Sequence, residues 1–257
     1  MRTNRLRARL LAGKPSSGHF VNIPSPAAVE FMGWLGFDFV IIDCEHGIAD
    51  YETAEHMIRA AEAAGITPMV RIGLNMQQHI QRYLDGGAQG VQIPLVNSGA
   101  EAQSVVASVK YPPQGRRGLA TTRASGFGRA HPSMKEYVEI ANRETLVCVQ
   151  IETEKGIENA DDIVATEGVD IIFLGPSDLS QAFGLHGQTT HPKVVETIGM
   201  LTKKALAAGK QVGTIAASPE AFKHWNDVGA KYLCGNVMWF MASGAQAYMD
   251  GIKGLRD

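Results

Sequence analysis

The chain has 257 residues, 45% of them hydrophobic and 19% charged, the balance of an ordinary globular protein long enough to bury a large core. A formal net charge of −2 sets up no field to attract nucleic acid or an anionic membrane, so small molecules and further subunits are the expected partners. No run of about 18 apolar residues occurs, and the basic start MRTNRLRARLLAGKPSSG lacks a signal-peptide core; no membrane span and a cytoplasmic location are expected.

In chain order, short apolar or β-branched runs alternate with longer amphipathic ones. Strands are predicted at 19–23, 38–43, 68–72, 90–96, 146–152, 170–175, 211–217 and 232–235. Helices are predicted at 26–35, 51–64, 76–86, 98–109, 155–165, 192–208, 218–228 and 240–253. Asp50 and Ser218-Pro219 are start signals, and Gly65 and Gly209 are stops. Strict alternation with near-continuous apolar strands implies parallel pairing covered by helices. Eight repeats in about 250 residues match a (β/α)8 TIM barrel, an α/β fold read as a single domain over 1–257. The rival, a doubly wound sheet, requires a glycine fingerprint after its first strand. Here that strand runs into NIPSP, GFGRA at 126–130 lies in a loop, and no GxxxxGK[ST] is present. Segment 111–143, rich in Pro, Gly and Arg, breaks the rhythm and reads as a functional insertion, a lid or an intersubunit arm.

A barrel of this kind builds its site at the C-terminal ends of its strands. Strand two ends in Asp43-Cys44-Glu45-His46, strand three in Arg71, strand five in Gln150-Ile151-Glu152, and strand six in Gly175-Pro176-Ser177-Asp178. Glu152 and Asp178 end consecutive strands and can converge, and two close carboxylates repel unless a proton or cation intervenes. A hard divalent ion suits them, Mg²⁺ or Mn²⁺ ahead of Co²⁺ or Zn²⁺; the competing role for each acid is capping the next helix. No HExxH or CxxC spacing marks a zinc site. Arg71 can grip a substrate carboxylate or pair with Asp43 or Glu45. His46, with Asp43 to orient it, has the makings of a general base. The backbone N–H groups of Ser177 and Asp178 can meet an anion. Cys148 and Cys234 read as buried thiols, with only Cys44 near other chemistry.

The ordered set DCEHG, VRI, GAQGVQIPLV, YPPQGRRG, VQIET and FLGPSDLS, spanning roughly 18 to 235, resembles the HpcH/HpaI aldolases, metal-dependent pyruvate aldolases that cleave 4-hydroxy-2-oxo acids. The resemblance implies a (β/α)8 barrel, usually hexameric, with its last helix exchanged between neighbours. It implies that Glu152 and Asp178 hold the metal, that Arg71 binds the pyruvoyl carboxylate, and that His46 with Asp43 forms the catalytic dyad. It further implies that Gln150 lines the pocket, that Gly175 and Ser177 form the turn meeting substrate, and that Asp85 is presented to a neighbour's site. The chain departs from the pattern near Phe20, where the family usually has Trp, near Cys44, where it usually has Gly, and after the eighth strand, where Leu-Cys-Gly-Asn-Val-Met-Trp stands in place of a G-x-D motif. Such differences shape the pocket rim and the choice of aldehyde. A Schiff-base aldolase would need a lysine at a strand's C-terminal end; Lys210 and Lys231 precede their strands and Lys155 lies past Glu152. An acyl-CoA lyase of the malyl-CoA or citrate lyase β type, or a non-catalytic carboxylate-binding barrel, are the other readings. The 2-oxo acid and aldehyde are the expected small-molecule partners.

Overall fold

Runs of Val, Ile and Leu that are apolar at every position cannot leave one face in water, and the chain buries both faces of each by closing the sheet on itself. The computed structural model describes residues 2–255, so residues 1, 256 and 257 of the predicted domain lie outside it. Its strands are β1 (Ser16–Val21), β2 (Phe39–Asp43), β3 (Thr67–Arg71), β4 (Gly90–Ile93), β5 (Leu146–Ile151), β6 (Ile171–Leu174), β7 (Gln211–Ile215) and β8 (Tyr232–Asn236). They pair in parallel in chain order, and β8 pairs with β1 to close the barrel. The predicted first strand, 19–23, starts three residues late: Ser16 to Phe20 pair with Tyr232 to Asn236 of β8.

Around the barrel lie α1 (Arg5–Leu11), α2 (Pro26–Trp34), α3 (Tyr51–Ala64), α4 (Gln77–Asp85), α5 (Gly99–Val109), α6 (Met134–Glu144), α7 (Glu154–Glu158), α8 (Ala160–Ala165), α9 (Pro176–Ala182), α10 (Pro192–Ala207), α11 (Pro219–Val228) and α12 (Val237–Ile252). Side-chain alternation along each strand sorts residues into two cores. Val40, Ile42, Val70, Val91, Val147 and Val149 face the helices. Phe39, Ile41, Met69, Cys148, Phe173 and Tyr232 fill the barrel.

Three helices lie outside the predicted set: α1, α6 and the short α9, which follows directly on the Gly175-Pro176 turn. α1 is short, and its Leu6 and Leu10 join the interior core, so it stoppers the N-terminal end of the barrel. Asn4 anchors it: its side chain accepts from Arg7 N–H and donates to the carbonyls of Gln89 and Glu144, both at 2.9 Å. α6 occupies the last third of the predicted insertion, capped by Ser133, which accepts Glu136 N–H, and with Tyr137 and Ala141 buried. The segment connects α5 to the start of β5, and Arg117 and Arg123 pin it to Asp85 and Glu62. It therefore lies at the N-terminal end, and the lid reading fails for this chain's own barrel mouth.

α12 leaves β8 and buries only Val237, while Trp239, Phe240, Met241 and Tyr248 are exposed. Among the described residues no helix is long and apolar enough to cross a membrane.

Asn4→Ala removes the cap of α1 and strands two buried carbonyls. The expected loss is about 2 kcal/mol, read as a lower urea midpoint at unchanged m-value.

Candidate active site

The alternation that fills the barrel also decides what reaches its mouth. In β2 the inward positions are 39, 41 and 43; in β3, 69 and 71; in β5, 146, 148 and 150, with 152 following. Asp43, Arg71, Gln92, Gln150 and Glu152 thus continue, at the C-terminal ends, the parity of the residues that line the interior.

Asp43 lies directly opposite Arg71 in the β2–β3 register. Arg71 Nε donates to Asp43 Oδ1 (2.9 Å) and Nη2 to Oδ2 (2.6 Å), while Nη1 stands 3.2 Å from Glu45 Oε2. The guanidinium packs 4.5 Å from the centre of the Phe20 ring, which supports the arginine. Burial alone would raise the Asp43 carboxyl, but Arg71 and the backbone N–H groups of His46 and Glu45 hold it below the usual carboxylate range. Burial pushes Glu45 up, against the pull of Arg71.

The predicted Asp43–His46 dyad takes a different form. Both Asp43 oxygens are committed to Arg71, and Oδ1 accepts the His46 backbone N–H, not its ring. The His46 side chain is 67% exposed at the mouth, with Nε2 4.0 Å from Glu45 Oε2. Glu45 thus stands between Arg71 and the imidazole, the place the sequence reading gave to Asp43.

Glu152 is 2% exposed. Its Oε1 accepts the Leu95 N–H (2.8 Å) and its Oε2 accepts Gln150 Nε2 (2.6 Å). Leu95 makes its bond from φ +54°, a left-handed conformation costing a non-glycine residue about 1 kcal/mol. Burial pushes Glu152 up to about 7, with the charges of Asp178 and Glu45 acting the same way. Asp178 sits in the first turn of α9, whose first intrahelical bond runs from Leu179 N–H to Gly175 C=O; the preceding N–H groups of Ser177 and Asp178 belong to that open turn. Ser177 is exposed and gives its carbonyl to Ser180. Gly175 separates the two acids: a Cβ there would come 2.6 Å from Glu152 Oε2 and 3.7 Å from Asp178 Oδ2.

Four carboxylates, Asp43, Glu45, Glu152 and Asp178, thus gather near one guanidinium, and Arg71 forms ion pairs with the first two. Among the described residues no group of three or more His, Cys, Asp or Glu is placed to hold a metal. A divalent cation would rest on Glu152 and Asp178 alone, with water and substrate oxygens completing it. The space kept open at Gly175 and the raised Glu152 carboxyl fit such an ion.

Gln92, Tyr232 and the Leu95 N–H belong to the same cluster and were missed from sequence. Gln92, a polar side chain inside the run GVQI, was the available signal. Asp85 ends α4, at the opposite end of the barrel, and pairs with the buried Arg117 at 2.6 Å. Lys210 and Lys231 are likewise tied to carbonyls or amides outside the mouth, at Thr166, Val169 and Asn226. Two clefts, of about 1020 Å³ and about 400 Å³, also open toward the N-terminal end, around Lys110 and Asp170 and around Arg117 and Arg123. Neither includes the strand-end cluster.

A model of the HpcH/HpaI aldolase/citrate lyase family matches residues 16–231. The chain is 35% identical over 252 residues to a 5-keto-4-deoxy-D-glucarate aldolase of Escherichia coli O157:H7 (strain EC4115 / EHEC), with 97% of each chain covered. The fold is similar to that of an HpcH/HpaI aldolase from Desulfitobacterium hafniense DCB-2, with a TM-score of 0.86, 33% identity, and 96% of this chain and 97% of that one covered. It is also similar to citrate synthase SbnG, with a TM-score of 0.89, 31% identity and 98% and 99% covered. Matched along nearly its whole length by a named relative and across its barrel by the family model, the chain belongs to the HpcH/HpaI aldolase/citrate lyase family.

Proposed function

We propose that the chain is a divalent-metal-dependent aldolase that reversibly cleaves a 4-hydroxy-2-oxo acid to pyruvate and an aldehyde. The observation that carries this reading is the pair Glu152 and Asp178 flanking Gly175, neither in an ion pair among the described residues while Arg71 binds Asp43 and Glu45. The all-oxygen donor set suits Mg²⁺ or Mn²⁺, and a bound ion supplies Lewis acidity to the 2-oxo group. The relative's substrate, 5-keto-4-deoxy-D-glucarate, numbered from its other carboxyl, is itself a 4-hydroxy-2-oxo acid. A substrate derived from a sugar acid is therefore the one proposed, with a cytoplasmic setting that suits three free cysteines.

Arg71 keeps N–H groups beyond the three used on Asp43 and Glu45. They neutralise the incoming carboxylate, and the open turn at Ser177 offers it backbone donors. His46, exposed at the mouth, takes the proton of the C4 hydroxyl as the C3–C4 bond breaks. The bonding pair moves to C3 and the 2-oxo oxygen, C3 is then protonated to give pyruvate, and C4 departs as the aldehyde. A general base so placed contributes about 10²- to 10⁴-fold. Glu45, closer to the ring than Asp43, steadies it, and Asp43 keeps Arg71 aimed.

Assembly is part of the proposal: a homo-oligomer, read as a hexamer, with α12 exchanged between copies. The exposed Trp239, Met241 and Tyr248 support it, as does the position of Asp85, which can meet a barrel mouth only in another copy. In Trp239→Asp/Tyr248→Asp, sedimentation should shift from hexamer to smaller species, with pyruvate release falling alongside. An unchanged wild-type hexamer would rule out the exchanged helix as its contact.

Pyruvate release from 5-keto-4-deoxy-D-glucarate, coupled to lactate dehydrogenase, should require Mg²⁺ or Mn²⁺. It should fall about 10²-fold or more in Glu152→Gln and Asp178→Asn. Full activity after exhaustive chelation, or a borohydride-trapped pyruvate adduct, would overturn the reading; turnover only with CoA thioesters would favour the acyl-CoA lyase.

A carboxyl whose folded pKa is raised favours the folded state when protonated. Its stabilisation is complete below about 4.5 and is lost as pH rises through about 7. Metal-free protein should thus lose up to about 3 kcal/mol across that window. Mn²⁺ binding needs the ionised form, so its Kd should tighten about tenfold per unit up to pH 7 and level above it. A Kd flat from pH 5.5 to 8 would sink this assignment.

A further inference from the structure

A chain of buried hydrogen bonds crosses the barrel from β8 to β5. The Tyr232 hydroxyl donates to Gln92 Oε1 (3.0 Å), Gln92 Nε2 donates to Gln150 Oε1 (2.6 Å), and Gln150 Nε2 donates to Glu152 Oε2 (2.6 Å). All four side chains are at most 2% exposed, so no bulk water can replace a lost partner. A primary amide has one accepting end and one donating end, and a row of them must point one way or the other. Direction is therefore set at the terminus. Burial keeps the Tyr232 phenol protonated; its oxygen can also accept, but turning the row round would take the Gln92 Oε1 acceptor from its O–H in a site closed to water. With both amides reversed, Gln150 would aim a carbonyl oxygen at the Glu152 carboxylate, a repulsive contact in a dry site.

We infer that Tyr232 and Gln92 are positioning residues: they fix the direction of the amide row so that Gln150 presents an N–H to Glu152. With the Leu95 N–H on Oε1, Glu152 is then gripped at both oxygens and held in one orientation toward Gly175 and Asp178. Tyr232 acts from the far wall of the barrel without touching the site. It has room to do so because β7 carries Gly213 beside it, where a Cβ would come 2.5 Å from the Tyr232 ring. The inference rests on the reading of Glu152 as a cation ligand.

Mn²⁺ affinity, measured by electron paramagnetic resonance on the full chain, tests it. Tyr232→Phe keeps the ring stacked on Phe39, at 4.4 Å between centroids, and removes only the directing hydroxyl. Its Kd should weaken about 3- to 10-fold, and that of Gln92→Leu about 10- to 100-fold, the range for groups that orient a ligand. A merely structural tyrosine would lower the unfolding temperature of Tyr232→Phe and leave its Mn²⁺ Kd at the wild-type value, which overturns the inference. Glu152→Gln binding Mn²⁺ as tightly as wild type would instead remove the cation reading, and the amide row's purpose with it.

Discussion

The site depends on a constraint of strand geometry: in a closed parallel barrel, every second residue points inward, and inward residues at the strand ends have nowhere to go but toward one another. Phe39, Ile41 and Asp43 are consecutive members of one inward row, as are Cys148, Gln150 and Glu152. The apolar members pack the interior and the last members cannot avoid meeting at the mouth. A one-residue slip of β2 would turn Asp43 toward the helices and put Ile42 in its place, losing the Arg71 pair and the core layer together. Fold and site are therefore specified by the same register.

Convergence of that kind creates an electrostatic problem that the arrangement of charges resolves unevenly. Arg71 has enough donors for two carboxylates, and it takes Asp43 side-on and Glu45 through its remaining nitrogen. Asp43 is consequently held below the usual carboxylate range, whereas Glu152, buried and with no ion pair among the described residues, is pushed up to about 7. The difference follows from partners more than from depth, since both are 2% exposed. A protein that only needed to be stable would place apolar side chains at 152 and 178. Two acids kept around a glycine that admits no side chain between them are the support for proposing a ligand there.

Much of this was legible in the sequence because barrels translate position along a strand into position in space. The eight strands, the strand-end acids and Arg71 follow from runs such as DFVIIDCEH and PMVRI. What was not legible depends on contacts that no local pattern encodes. α1 has too few residues to display a period, and its helix owes its place to Leu6, Leu10 and the Asn4 anchors reaching across to β4 and α6. α6 lay inside a segment whose Pro and Gly content disguised it. Pairing of Arg71 with Asp43 or Glu45 was one of the two readings the sequence allowed, and the β2–β3 register selects it: Asp43 spends both oxygens on the guanidinium and meets His46 only through its backbone N–H, which local sequence does not show. Gln92 and Tyr232 lie 140 residues apart and meet only because β4 and β8 face each other across the barrel.

The two ends of the barrel carry different duties. At the N-terminal end, α1, Lys110 and Lys210 satisfy carbonyls and close the core; the C-terminal end collects the chemistry. Asp85 is the residue that does not fit this division, an acid for which the resemblance implies a place in a neighbour's site but which sits at the stabilising end, bound to Arg117. Helices in such a barrel run antiparallel to the strands, so the last residue of α4 can never approach its own chain's mouth without unravelling the helix. Either Asp85 is a structural acid that fixes the 111–133 loop, or it serves a mouth belonging to another copy. The second alternative also gives a role to α12, which carries its Trp239 and Tyr248 away from its own barrel. In the proposed oligomer the copies would then not be finished enzymes merely packed together: the pinned loop and the projecting helix would be the parts that each subunit offers its neighbour.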